Sequence, residues 1–262
     1  MAKHIRHILG LSGGKDSTAL AIYMRDRVPE MEYFFCDTGA ELPETYEYLA
    51  KLEVFLGKKI VRLSAERTFA HWLKVYKGTL PSPNMRWCTK VLKIEPLERW
   101  IGKDSAISYV GLRADEASRK GYTSSKSNVM SVFPFIDDGL ELVDIEQILH
   151  ESGIGKPSYY EWRSRSGCYF CFYQRKNEWV ALSERHPDLF SKAVELEQKK
   201  DFKDTASKTS YTWSQGESLE QLLGRKEQIK AGQNSAGRRS SYLLDILDDD
   251  ENDLDFCAAC HL

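Results

Sequence analysis

No apolar run in this chain reaches the ~18 residues that a membrane-spanning helix needs, so no segment reads as a helical anchor. A surplus of one charge is missing too. Thirty-seven Lys and Arg stand against 39 Asp and Glu, for a formal net charge of −2. That excludes a global basic field for nucleic acid, so any such site must be a local patch. Internal repeats are absent. The two commonest nucleotide loops, G-x-x-x-x-G-K-[ST] and G-x-G-x-x-G, are both missing. None of the six histidines stands at metal-ligand spacing from another, so they are read as structural or surface residues. The first residues lack the apolar core of a secretory signal, which predicts a cytoplasmic protein. In that reducing compartment six cysteines favour metal or redox chemistry over structural disulfides.

The chain does contain Ser12-Gly13-Gly14-Lys15-Asp16-Ser17, directly after the apolar run Ile8–Leu11. A strand, a glycine turn and then a helix is the layout that holds phosphate on backbone N–H groups. Glycines let the main chain approach the anion, and the helix N-terminus supplies unpaired donors and the positive end of its dipole. Lys15 adds a full charge, and Ser12 and Ser17 add hydroxyl donors. Asp16 beside a phosphate makes sense where a magnesium ion or a substrate donor also sits. The competing reading is a tight turn with a surface lysine.

The first half alternates strand and helix. Strands are predicted at His7–Leu11, Glu32–Cys36, Lys59–Leu63 and Ala106–Val110. Helices are predicted after the loop, over Pro43–Leu56, over Phe69–Tyr76, and over Lys90–Ile101 with a break or start near Pro96. This predicts an α/β fold, a parallel Rossmann-like sheet with helices on both faces and a helical C-terminal region. Ligands of such sheets bind beyond the carboxyl ends of the strands. Both the loop and Asp37-Thr38-Gly39 fall there. Residues 139–155 read as a strand end followed by a helix, and 176–199 and 217–230 as two further helices. The stretch 231–241 reads as a flexible linker, and the acidic run 245–255 as a solvated tail. The division expected is 1–135 for the α/β domain, 136–230 for a Cys-x-x-Cys-bearing helical region, and 231–262 for the linker and tail.

Cys168 and Cys171 form one Cys-x-x-Cys, Cys257 and Cys260 another, and Cys88 stands alone in Arg86-Trp87-Cys88-Thr89. The two pairs suit a zinc site or an iron–sulfur cluster. Cys36, on a strand, reads as a buried small hydrophobe. Arg86, Lys90 and Lys93 suit a phosphate backbone with Trp87 available to stack on a base, or else form an ordinary solvated helix face. Arg113 and Arg119 are similar candidates. Arg163 and Arg165 beside Tyr159, Tyr160 and Trp162 mix basic and aromatic residues as nucleic-acid surfaces do, and core packing explains the aromatics equally well.

The string Ser12–Ser17 resembles the PP-loop of the ATP pyrophosphatases, which cleave ATP between the α- and β-phosphates. Arg86–Leu97, Gly111–Arg119 and the segments Val132–Ile136 and Leu142–Ile145 resemble blocks of the phosphoadenosine phosphosulfate reductase family, so the likeness spans roughly residues 5 to 175. In its iron–sulfur members a Cys-Cys pair opens the first block, whereas here Cys88 is followed by Thr89. The terminal Glu-Cys-Gly-x-His motif of the reductases is missing. The Lys-Asp that those reductases have lost is present as Lys15 and Asp16. The combination resembles the ATP pyrophosphatases of DNA phosphorothioation, of the Dnd and Ssp systems.

That resemblance implies an ATP site of Leu11, Ser12, Gly13, Gly14, Lys15, Asp16, Ser17, Asp37, Thr38 and Gly111, with Lys15, Asp16 and Ser17 catalytic. Mg²⁺ is expected on Asp16, with Asp37 as a second contributor, a nucleotide contact or simply a turn acid. Arg86, Lys90, Lys93, Arg113 and Arg119 are expected on the substrate phosphate. A 4Fe-4S cluster, with Zn²⁺ as the alternative, is expected on Cys88, Cys168 and Cys171, with Cys260 or Cys257 as fourth ligand. The implied partners are DNA, a cysteine desulfurase as sulfur donor and other subunits of a DNA-modification complex; self-assembly stays open. The competing functions are tRNA thiolation, sulfonucleotide reduction, and a non-catalytic zinc-stapled nucleotide-binding subunit.

Overall fold

The structure is a computed structural model, and it describes residues 5–116, 126–198, 211–214 and 216–235. Arg119, Cys257, Cys260 and the acidic run lie outside the described residues. The described residues divide into two compact units, one holding those up to 66 together with those within 89–167, the other holding 67–88 together with those from 168 to 235. Residues 136–167 group with the α/β unit, and 67–88 with the Cys-x-x-Cys segment.

The first unit is built on a five-stranded sheet in the order β3-β2-β1-β4-β5. The strands are β1 (Ile5–Gly10), β2 (Glu32–Asp37), β3 (Ile60–Ser64), β4 (Ser105–Tyr109) and β5 (Val129–Val132). Every pairing is parallel. Tyr33–Cys36 of β2 and Ile8–Leu9 of β1 read as unbroken apolar runs because a parallel sheet is covered on both faces. Side chains alternate across the sheet. Leu9, Tyr33 and Phe35 enter a core with Leu20 of α1 (Lys15–Met24), Leu52 of α2 (Pro43–Leu56) and Ile145 and Leu149 of the helix Leu142–Glu151. The opposite face meets the segment that ends at Ile101, where Phe34 packs on Trp100 and the Cys36 thiol faces the Lys93 carbonyl. The predicted α/β class with a parallel sheet is what the chain forms.

Several local expectations differ. β5 is not predicted from sequence, being four residues long and on the sheet edge, where Met130 stays exposed. No strand precedes the helix Leu142–Glu151; Glu141 is its N-cap, in a capping box with Asp144. Near Pro96 the expected start is found: after a π turn over Lys90–Ile94 the α-helix Glu95–Ile101 begins with Pro96 in its first turn, where a missing N–H costs nothing. In the second unit the stretch from residue 176 is two helices, Lys176–Arg185 and Pro187–Gln198. His186 leaves the helical region ahead of Pro187, as the proline ring requires. The helix expected over 217–230 is likewise two, Leu219–Gly224 and Lys226–Ser235, so the first residues of the expected linker are helical.

Candidate phosphate-binding site

The strand order reverses at β1, which pairs with β2 on one side and β4 on the other. The crevice beyond the carboxyl ends of β1 and β4 is the place where open α/β sheets bind ligands. The loop Ser12–Gly14 occupies it, and α1 begins at Lys15 with Gly14 as N-cap and no side chain capping it. Gly13 has φ +73°, and a Cβ there would lie 2.7 Å from Thr45 Cγ2, so only glycine fits. Ser17 is buried; its Oγ accepts the Ser12 N–H at 3.2 Å and donates to the Gly14 carbonyl at 3.2 Å. Ser12 Oγ accepts the Gly14 N–H at 3.4 Å. The loop's donors are thus held on hydroxyl oxygens, which exchange readily for a phosphate oxygen.

Lys15 Nζ lies 3.1 Å from Asp16 Oδ2, and Arg113 donates to Asp16 Oδ1 at 2.8 Å. Arg113 arrives from the loop after β4. Gly111 opens that loop, and a Cβ on it would sit 3.1 Å from the Asp16 carbonyl oxygen, so the glycine lets the β4 exit lie against the start of α1. Arg113 is 8% exposed and also meets Asp115 at 2.8 Å and Glu116 at 3.0 Å. Burial alone pushes its pKa down, but hydrogen bonds to Asp115 and Asp16 and the Glu116 charge raise it above the usual arginine value. The guanidinium is a permanent cation of the site.

Asp16 therefore faces a cation at each carboxylate oxygen. That arrangement fits an anchor for Lys15 and Arg113 better than a magnesium ligand. Asp37 also behaves as a turn acid, its Oδ1 accepting from the Gly39 N–H at 2.9 Å and the Tyr46 hydroxyl at 2.8 Å. Glu41, which sequence reading passes over, lies beside it. It is buried and accepts from the Thr38 hydroxyl at 2.7 Å and the Ala40 N–H at 3.1 Å, and its Oε2 lies 3.3 Å from the Tyr46 hydroxyl oxygen. Burial raises its pKa, against the lowering effects of the Thr38 bond and the Lys93 charge. Burial likewise pushes the Cys36 thiol up to about 12, which agrees with its reading as a small hydrophobe. The signal for Glu41 is its place four residues past the end of an apolar strand.

The expected substrate residues fare unequally. Lys90 is exposed, and Lys93 is half-buried with its charge acting on Glu41 and Cys36. Arg86 donates to the Pro83 carbonyl at 2.9 Å and stands 5.6 Å from the Tyr173 ring. Trp87 is not available to stack on a base. It is 4% exposed, stacked on Phe69 and Tyr76, and donates its indole N–H to the Thr79 carbonyl at 3.0 Å. Arg163, Arg165 and Tyr159 are buried, so packing accounts for these three, while Tyr160 and Trp162 are half-buried.

Cys88, Cys168 and Cys171 share the second unit and are each half-exposed. The Cys171 N–H donates to the Cys168 carbonyl at 3.1 Å, closing the Cys-x-x-Cys turn. Among the described residues no three Cys, His, Asp or Glu side chains gather into a group able to hold a metal ion. No described helix is long and apolar enough to cross a membrane.

The phosphoadenosine phosphosulfate reductase domain family matches residues 6–171. The uncharacterized protein MJ0066 of Methanocaldococcus jannaschii is 27% identical over 198 residues, which cover 71% of this chain and 40% of that protein. The chain thus spans less than half the length of that relative. The adenosine 5'-phosphosulfate reductase of Bacillus cereus is 28% identical over 118 residues, 44% of this chain and 50% of that enzyme. Among solved structures, the U34-tRNA thiolase NcsA of Methanococcus maripaludis with its [4Fe-4S] cluster is 14% identical, with a TM-score of 0.44 over 74% of this chain and 70% of that one.

Proposed function

The chain belongs to the phosphoadenosine phosphosulfate reductase domain family, and from that premise we propose that it is an ATP pyrophosphatase that activates a nucleic-acid phosphate for sulfur insertion. The observation that carries this reading is the pair Lys15 and Asp16 at the head of α1, at the point where the strand order reverses, with Arg113 locked onto Asp16. A lysine and an arginine held by one carboxylate suit a triphosphate, because their positions are fixed before the ligand arrives. Two cations here face three carboxylates, Asp16, Asp115 and Glu116. The site has no positive surplus, so the triphosphate enters with its own magnesium, which when bound neutralises charge on the phosphates.

In this reading the N–H groups of Gly13 and Gly14, the Ser12 and Ser17 hydroxyls and Lys15 bind the β- and γ-phosphates, with Leu11, Asp37, Thr38 and Gly111 around the nucleotide. A non-bridging oxygen of the substrate phosphate attacks the α-phosphorus. The bond to the β-phosphate breaks, pyrophosphate leaves and AMP stays on the substrate oxygen. A sulfide-level sulfur nucleophile then attacks the substrate phosphorus, and AMP departs with that oxygen. The chain's residues position the groups and stabilise charge. DNA is the substrate we favour, with the persulfide of a cysteine desulfurase, reduced to the sulfide level by a thiol reductant, as sulfur source. Arg86 and Lys90 are its candidate phosphate contacts. Cys88, Cys168 and Cys171 are assigned as cluster ligands on the family resemblance, with no reaction step resting on them.

Incubation with ATP and magnesium should release AMP and pyrophosphate, and Lys15→Ala should lower that rate about 100-fold or more. An unchanged rate refutes the assignment of Lys15. The reductase relative's 28% identity favours a second reading, reduction of a sulfonucleotide. Sulfite release from adenosine 5'-phosphosulfate with a thiol reductant, without AMP formation from ATP, would select it.

A further inference from the structure

A second segment of the same unit meets the loop, and its side chains have no part in the reading above. Tyr159, 1% exposed, donates its hydroxyl to the Gly13 carbonyl at 2.7 Å. The Tyr160 hydroxyl oxygen accepts the backbone N–H of Lys15 at 3.2 Å, and Lys15 Nζ stands 5.9 Å from that ring's centroid. Ser166, also buried, donates to Ser12 Oγ at 3.2 Å. A Cβ built on Gly14 would fall 2.9 Å from Ser166 Oγ and 3.3 Å from both Ser12 Oγ and Tyr160 Oη. Three hydroxyls therefore converge on one face of Gly14, at the first turn of α1.

The Lys15 N–H is a first-turn donor of the kind that anions take at helix N-termini. Here Tyr160 Oη occupies it, as Ser12 Oγ occupies the Gly14 N–H and Ser17 Oγ the Ser12 N–H. A hydroxyl that accepts from an N–H still has a proton to donate. Burial raises the Tyr160 pKa, so that proton is retained at neutral pH. Tyr159 differs, because its proton is already committed to the Gly13 carbonyl; it is a positioning residue for the loop backbone.

We propose that Tyr160 and Ser166 are binding residues of the phosphate site: their hydroxyls keep the loop's donors in register without ligand and, once Ser166 turns its proton from Ser12 Oγ, donate to a phosphoryl oxygen of the pyrophosphate moiety of a nucleoside triphosphate. This rests on the reading of the loop as a triphosphate site. The specificity follows from chemistry, since hydroxyl donors without added charge suit a phosphoryl oxygen whose charge magnesium and Lys15 already balance.

The test is calorimetric titration of the full chain with inorganic pyrophosphate and magnesium, for wild type, Tyr160→Phe and Ser166→Ala, with the melting temperature of each unliganded protein. Loss of one hydrogen bond to a charged group predicts about tenfold weaker binding in either variant. A purely structural role would lower the melting temperature and leave the affinity of the folded protein unchanged. Wild-type affinity in both variants overturns this inference alone. Failure of the wild type itself to bind pyrophosphate overturns the triphosphate reading and this inference with it.

Discussion

At Gly13 two independent constraints fall on one residue, a left-handed backbone and the Thr45 methyl group 2.7 Å from where a Cβ would stand. Gly13→Ala should therefore cost about 2 kcal/mol or more, from the left-handed strain plus overpacking. Urea denaturation measures it, and adding Thr45→Ser, which removes the methyl, should restore part of the loss. If the double variant is no more stable than the single one, backbone strain alone accounts for the loss. Glu41 gives a pH prediction. Its folded pKa is raised, so the protonated form is favoured by folding. Its contribution to stability is full below the unfolded glutamate value and is lost as pH rises through the raised folded one. Wild type should lose stability relative to Glu41→Gln as pH rises from about 4 toward neutrality; a pH-independent difference in urea midpoints would refute the protonated reading. The phosphate loop was legible in the sequence because its chemistry is contiguous. Glu41 and Tyr160 were not, because what makes them notable is made in space, and the Tyr160 bond to Lys15 spans 145 positions. Trp87 shows the same limit from the other side, since a stretch of sequence does not tell a stacking indole from a buried one.

Elements carry the next level of specificity. The close approach of the β4 exit to the start of α1 depends on Gly111, whose Cβ would press on the Asp16 carbonyl at 3.1 Å. Gly111→Ala should cost about 1–3 kcal/mol by overpacking and weaken nucleotide binding as Arg113 draws away from Asp16. Denaturation and ATP titration read the two effects, and unchanged values in both would mean that the loop yields freely. Long buried strands and the Pro43-started α2 were readable, the latter with the bounds Pro43–Leu56 that the structure gives. The breaks were harder, because proline acts through its neighbours. Pro187 ends a helix, whereas Pro96 is accommodated behind the π turn Lys90–Ile94. β5 carries too few residues to set a period, and only its pairing with β4 defines it.

For the whole molecule, the near-balance of charge means that substrate recognition rests on local groups. The cysteines pose the remaining question at this scale. Cys88 and the Cys168–Cys171 turn are separated in sequence yet fall in one compact unit that does not contain the phosphate loop. If a metal group joins them, its binding energy becomes folding energy for that unit, because the unfolded chain has no such site. Protein prepared without oxygen should then contain iron and acid-labile sulfide. Cys168→Ser should lower both, along with the melting temperature, while pyrophosphate binding stays within about twofold of wild type if the two units act independently. Zinc in place of iron would select the structural alternative. Full metal content in Cys168→Ser would remove Cys168 from the ligand set. Loss of pyrophosphate binding together with the metal would mean that the two units are energetically coupled, and the cysteine unit would then act as a regulator of the ATP site.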